Sequence, residues 1–293
     1  MKIGLVGLGK MGYSLAQNMA KSNHEVIGYD AYVPKMKMVK TVTSIEKLVE
    51  SLPTPRVIWL MVPAGEITEA LINQLAELLD REDIIIDGGN AFYKDSIRRH
   101  GYLKELGIHF LDVGTSGGVS GALNGACLMI GGDKTIFDYV ETLFKDIAIK
   151  DGYAYMGPSG SGHYVKMIHN AIEYGMMQAI GEGFDMLAQS PFDFDYKAVS
   201  KVWAHGSIIE GLLMDMVQRA FEKDAKLETI LGKVDDSGEG RWALEEAIHL
   251  KVSTPVIAQS LLARFKSKDD NKFSEKVVAA MRNEFGGHKI YEK

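Results

Sequence analysis

Short apolar runs alternate with amphipathic stretches through the first half of the chain. Residues 3–8, 25–29, 57–62, 84–87 and 109–113 read as buried strands, each followed by a polar or glycine-bearing turn. Between them, 12–21, 67–79 and 96–105 carry helical periodicity and read as crossover helices. Strands alternating with helices predict a parallel, doubly wound α/β sheet. Past residue 162 the strand-like runs stop, and helix-length segments follow one another, punctuated by Pro191, Pro255 and glycines at 238–240 and 286–287. The break at 158–162 predicts an α/β domain over 1–161 and an all-helical domain over 162–293.

One helical segment opens the second region. Val165, Ile168, Ile172, Met176 and Ala179 recur on one side, which is expected to be buried. Lys166, His169, Asn170, Glu173 and Tyr174 follow the i, i+3, i+4, i+7, i+8 pattern and share the other side. A merely solvated face would repeat Lys and Glu. Single copies of five functional groups suit a substrate-reading surface, with an ordinary amphipathic surface helix as the competing reading.

The N-terminus weighs on that choice. Gly7-Leu8-Gly9-Lys10-Met11-Gly12 matches G-x-G-x-x-G between a strand and a helix, where backbone amides and a helix N-terminus receive a pyrophosphate. The next strand ends in Asp30, at the expected spacing of about 20 residues. A carboxylate there accepts hydrogen bonds from ribose hydroxyls and repels a 2′-phosphate, and Ala31 rather than Arg follows it. The pattern predicts a Rossmann dinucleotide site for NAD; a loop-capping acid is the alternative for Asp30.

Composition narrows the class. Hydrophobic residues make up 46% of 293 and charged residues 25%, as in globular proteins. The net charge of −6 with scattered Lys and Arg argues against nucleic-acid binding. Cys127 is the single cysteine, set in an apolar run and expected to be a small buried hydrophobe, so no cysteine metal site is built. No run approaches membrane-spanning length, and a cytoplasmic location is expected.

Four motifs together resemble the 6-phosphogluconate dehydrogenase (decarboxylating) family, in its short NAD-preferring form, within the β-hydroxyacid dehydrogenases. They are the glycine turn with Asp30, then Asp87-Gly88-Gly89-Asn90, then Asp112–Gly118 with 128–132, and the helix 163–174. Sister β-hydroxyacid dehydrogenases carry a Ser-Thr pair where this chain has Gly89-Asn90, and their lysine helix lacks the His-Asn…Glu-Tyr set. The resemblance implies oxidative decarboxylation of 6-phosphogluconate to ribulose 5-phosphate and CO₂, within the pentose phosphate pathway and gluconate use, without a metal. Lys166 would be the general base, which requires its pKa to fall from ~10.4 towards roughly 7–8. Glu173 would be the general acid. Gly7, Leu8, Gly9, Met11, Gly12, Asp30, Val62 and Asn90 would hold the cofactor.

The substrate set implied is Asn90, Ser116, Gly117, Gly118, His169, Asn170, Tyr174, Arg264, Arg282 and His288. For any one glycine a tight turn is as good a reading, and for Tyr174 packing at the domain junction is a strong one. In the family the C-terminal tail, here Arg282–His288, reaches a neighbouring subunit's site, implying a homo-oligomer, dimer or tetramer; a frayed polar terminus is the plain alternative. Two departures stand out. NADP-using members have Asn-Arg where this chain has Asp30-Ala31, and long-form members place Lys and Thr where Ser237 and Glu239 stand. The second removes a cation from the expected phosphate pocket. A non-decarboxylating dehydrogenase of another β-hydroxy acid and a non-catalytic NAD-binding sensor are the competing functions.

Overall fold

The computed structural model describes residues 1–32 and 39–292. Two compact units form, 1–170 and 171–293. The first contains β1 (Lys2–Val6), α1 (Lys10–Lys21), β2 (Glu25–Tyr29), β3 (Lys40–Thr41), α2 (Ile45–Glu50), β4 (Val57–Leu60), α3 (Glu66–Leu78), β5 (Ile84–Asp87), α4 (Tyr93–Leu106), β6 (His109–Ser116), α5 (Gly118–Asn124), β7 (Ala126–Gly132), α6 (Lys134–Ile147) and β8 (Ala148–Gly157). The helix α7 (Ser161–Gln189) starts in this unit and continues into the next.

The sheet order is β3-β2-β1-β4-β5-β6-β7-β8. Its first six positions follow the 3-2-1-4-5-6 order of dinucleotide-binding folds. The strand order therefore reverses between β1 and β4, where ligands bind beyond the strands' carboxyl ends. Both faces are covered. On one side Ile3, Leu5, Ile84, Ile86, Leu111 and Val113 pack with Leu15 and Met19 of α1 and with Phe137, Val140 and Phe144 of α6. On the other, Val6, Ile27, Ile58, Leu60, Ile85 and Phe110 pack with Leu48, Leu71, Ile72, Leu75 and Leu103. Ile85 and its two neighbours thus serve opposite layers, which is why these strands read as unbroken apolar runs.

Three features differ from the sequence reading. The sheet is mixed: β7 runs antiparallel to β6, and β8 pairs parallel with β7. The pattern of apolar runs assigns neither 126–132 nor 148–157 to a strand. Cys127 is exposed rather than buried. It lies between the buried Ala126 and Leu128, so the pleat turns it to the opposite face of β7. β1 stops at Val6 instead of Leu8 because Gly7 turns the chain at φ +93°.

The expected burial of α7 holds only at its start: Val165 and Ile168 are half-buried, as are His169, Asn170 and Glu173 on the other side. Ile172 and Met176 are each 52% exposed and Ala179 is exposed, whereas Lys166, Met167, Ala171 and Tyr174 are buried. The first turn of α7 lies too close to the sheet for large side chains. A Cβ on Gly162 would stand 2.3 Å from the Asp112 carbonyl oxygen, and one on Gly114 would stand 2.3 Å from the Lys166 Cβ.

The second unit is helical, continuing α7 with α8 (Tyr196–Trp203), α9 (Leu212–Lys223), α10 (Glu239–Leu250), α11 (Pro255–Ser267) and α12 (Phe273–Gly286). Phe184, Tyr196, Trp203 and Phe221 form an aromatic cluster joining α7, α8 and α9. None of the α12 residues is buried. Among the described residues, no helix is long and apolar enough to cross a membrane.

Candidate functional site

The glycine turn after β1 has the shape a pyrophosphate needs. Gly7 adopts φ +93°, and a Cβ there would meet the Met61 carbonyl oxygen at 2.5 Å. Gly12 packs so tightly that its Cβ would lie 1.9 Å from the Gly7 carbonyl oxygen, holding α1 against the turn. Gly9, the N-cap of α1, has nothing within 4 Å of its Cβ position among the described residues, which leave the approach to the helix N-terminus open. These three glycines meet the three requirements of a dinucleotide turn, and the residues fit a nicotinamide dinucleotide. The helix starts at Lys10, two residues before the expected Gly12.

Asp30 follows β2 and faces this turn. Its Oδ2 accepts the Leu8 amide at 2.7 Å and its Oδ1 accepts the Tyr32 amide at 2.8 Å. Both carboxylate oxygens therefore take part in capping the loop. Val62 lies beyond β4, where a Cβ on Gly7 would come 3.0 Å from its Cγ1 and one on Gly89 would come 2.9 Å from its carbonyl oxygen. Gly7, Val62 and Gly89 thus gather the carboxyl ends of β1, β4 and β5. Met11 is half-buried in the first turn of α1, and Asn90 is exposed just past Gly89.

The turn carrying Asn90 is held from below. Asp87 Oδ1 accepts the Gly89 amide at 3.2 Å, and its Oδ2 receives Arg99 Nη1 at 3.3 Å. Arg99 also donates through Nε to Glu69 at 2.9 Å. Arg98 binds the same carboxylate, and its hydrogen bond is the main reason the Glu69 pKa is lowered to about 2. Sequence reasoning missed Arg99. Its signal was a charged residue at the inward spacing of α4, with Ser96 and Leu103, all three buried.

At the end of β6, Ser116 Oγ lies 3.2 Å from His169 Nε2, and His169 Nδ1 lies 3.0 Å from Asn170 Oδ1. With that amide oxygen as acceptor, Nδ1 donates and Nε2 accepts the Ser116 hydroxyl. Gly117 and Gly118 follow with φ of +101° and +62°, conformations that favour glycine. Lys166 is buried against Gly114. Glu173 is half-buried seven residues further along α7, on the same helix face.

In the second unit, Tyr174 organises a polar cluster. The Arg264 guanidinium stacks 3.3 Å from the Tyr174 ring centroid, and Arg264 Nη1 donates to the Asp235 carbonyl oxygen at 2.8 Å. The Tyr174 hydroxyl donates to Asp236 Oδ1 at 3.3 Å and accepts the Ser237 amide at 3.2 Å. Ser237 Oγ donates to the buried Glu239 at 2.6 Å. Arg282 and His288 are exposed at the carboxyl end of α12, where the His288 amide donates to the Arg282 carbonyl oxygen at 3.4 Å.

Known proteins share this organisation along the whole chain. Residues 2–157 match the NAD binding domain of 6-phosphogluconate dehydrogenase, and 162–292 match its C-terminal domain. The chain is 52% identical to YqeC of Bacillus subtilis, named as a candidate 6-phosphogluconate dehydrogenase, with both chains covered in full. It is 38% identical to an NAD(+)-dependent, decarboxylating 6-phosphogluconate dehydrogenase of Haloferax volcanii, over 100% of this chain and 99% of that one. A solved 6-phosphogluconate dehydrogenase of Plasmodium falciparum, described with NADP+ and with 6-phosphogluconate, superposes with a TM-score of 0.82 at 28% identity. All of this chain is covered in that comparison, and 66% of the Plasmodium chain. This chain belongs to the 6-phosphogluconate dehydrogenase family.

Proposed function

We propose that the protein oxidatively decarboxylates 6-phosphogluconate with NAD, Lys166 acting as general base and Glu173 as general acid. The observation that carries this reading is Lys166, buried on the same helix face as His169, Asn170 and Glu173. Gly7, Gly9, Gly12 and Asp30 would hold the dinucleotide, which would supply the hydride acceptor for oxidation at C3 of the substrate. Lys166 takes the C3 hydroxyl proton as the hydride leaves, and returns it to the C3 oxygen when the C1–C2 bond breaks and CO₂ departs. Glu173, about 10 Å further along the helix axis, protonates the carbon that lost CO₂ while Lys166 takes back the proton of the enediol hydroxyl on the former C3, which leaves the ketone of ribulose 5-phosphate. Asn90, Ser116, Gly117, Gly118, His169 and Asn170 orient the carboxylate and hydroxyls.

Arg264 and Tyr174 are assigned to the phosphate, together with Arg282 and His288 from a neighbouring copy in a cytoplasmic homo-oligomer. A planar guanidinium suits a phosphate, although the Arg264 neighbourhood also holds Asp235, Asp236 and Glu239. Initial rates with 6-phosphogluconate and NAD or NADP, measured with CO₂ release, test the assignment. Equal CO₂ and NADH with preference for NAD supports it. NADH without CO₂ indicates a non-decarboxylating β-hydroxyacid dehydrogenase.

A further inference from the structure

We infer that Asp112 is a positioning residue that sets Lys166 by fastening the first turn of α7 to the centre of β6; the inference rests on Lys166 being the base. A helix start leaves amides without intrahelical partners. The local hydroxyl, Ser161 Oγ, is buried and has no hydrogen-bond partner among the described residues. The acceptors come instead from far along the chain. Asp112 Oδ1 accepts the Gly160 amide at 2.7 Å, and Oδ2 accepts the His163 amide at 2.9 Å. Asp112 is fully buried.

The register follows from β6. Asp112 and Gly114 are two residues apart and share one face of the strand. Asp112 grips residues 160 and 163, while Gly114 receives Lys166, so two points fix the helix against the strand. Gly131, paired with Asp112 across β7, leaves room for the carboxylate: a Cβ there would lie 2.7 Å from Asp112 Oδ1. From α4, Ser96 Oγ lies 2.7 Å from His163 Nδ1 and holds the same turn laterally. A carboxylate at a helix N-terminus also makes stronger hydrogen bonds than a neutral cap.

The test is Asp112→Asn, which keeps the shape but turns an amino group towards one of the two amides. The expected result is a fall in kcat on the order of 10²-fold, as for a displaced catalytic group, with KM for NAD and NADH affinity unchanged. Asp83→Asn removes another fully buried carboxylate, one that binds Arg56, and should lower the melting temperature with kcat retained. Full kcat in Asp112→Asn, with Lys166→Ala inactive, overturns the inference alone. Turnover retained by Lys166→Ala overturns the assignment of the base. If Asp112→Asn does not fold, Gly114→Ala displaces the helix at its other contact, and it should lose kcat while still binding NADH; full kcat there overturns the inference too.

Discussion

The Asp30 carboxylate accepts the amide of Leu8, joining the end of β2 to the glycine turn at 2.7 Å. One side chain therefore shapes the turn, and under the proposed function it also reads the ribose of NAD. Asp30→Ala should raise KM for NAD and lower it for NADP, changing the ratio of kcat/KM values on the order of tenfold or more, about 1.4 kcal/mol per factor of ten. Initial rates with both cofactors measure it. An unchanged ratio leaves Asp30 with the capping role only.

Arg99 is buried between Asp87 and Glu69, beneath the turn that presents Asn90. Removing one partner of a buried ion pair costs about 3–5 kcal/mol, mostly through the charge left behind. Arg99→Leu should therefore lower the melting temperature by roughly 10 °C. Adding Asp87→Asn to that variant should recover part of the loss. Thermal unfolding of the two variants decides it, and equal melting temperatures would show that Asp87 is not the group Arg99 neutralises.

His24 gives a pH dependence whose sign is fixed by its environment. Burial lowers its pKa from 6.5, the N-terminal ammonium adds to that, and Asp146 opposes both. The folded state therefore binds the proton more weakly than the unfolded chain. Stability from the neutral ring is complete above the unfolded value of about 6.5 and declines as pH falls below it. Melting temperature should drop as pH falls below this value, and His24→Gln should flatten that drop. A slope unaltered by the substitution assigns it to other groups.

The strands at 25–29 and 84–87 were legible to the residue because buried runs end in turn-forming residues there. β8 was not: Lys150 and Asp151 interrupt it, and its pairing with β7 contains register shifts. On α7 apolar periodicity alone does not give the buried side: the glycines at 114, 131 and 162 draw Lys166 inward and leave Ile172 outside. The motif residues were visible as residue types in sequence. The supports of the site were hidden because they act over distance: Asp112 reaches amides 48 and 51 positions away.

The helix α12 presents Phe273, Val277, Val278, Met281 and Phe285, all exposed, at spacings that bring them to one side. Such a face is stable when another surface covers it, and a second copy of the chain is the occupant that the proposed shared site requires. Removing residues 272–293 should yield a smaller species in solution that still binds NADH but does not turn over. Complementation gives the sharper result. Lys166→Ala and Arg282→Ala should each be inactive alone. Co-expressed as random dimers, half the molecules are mixed and each holds one intact site, restoring about a quarter of wild-type activity. No recovery in mixtures shown to contain mixed dimers places Arg282 in its own subunit's site or outside any site.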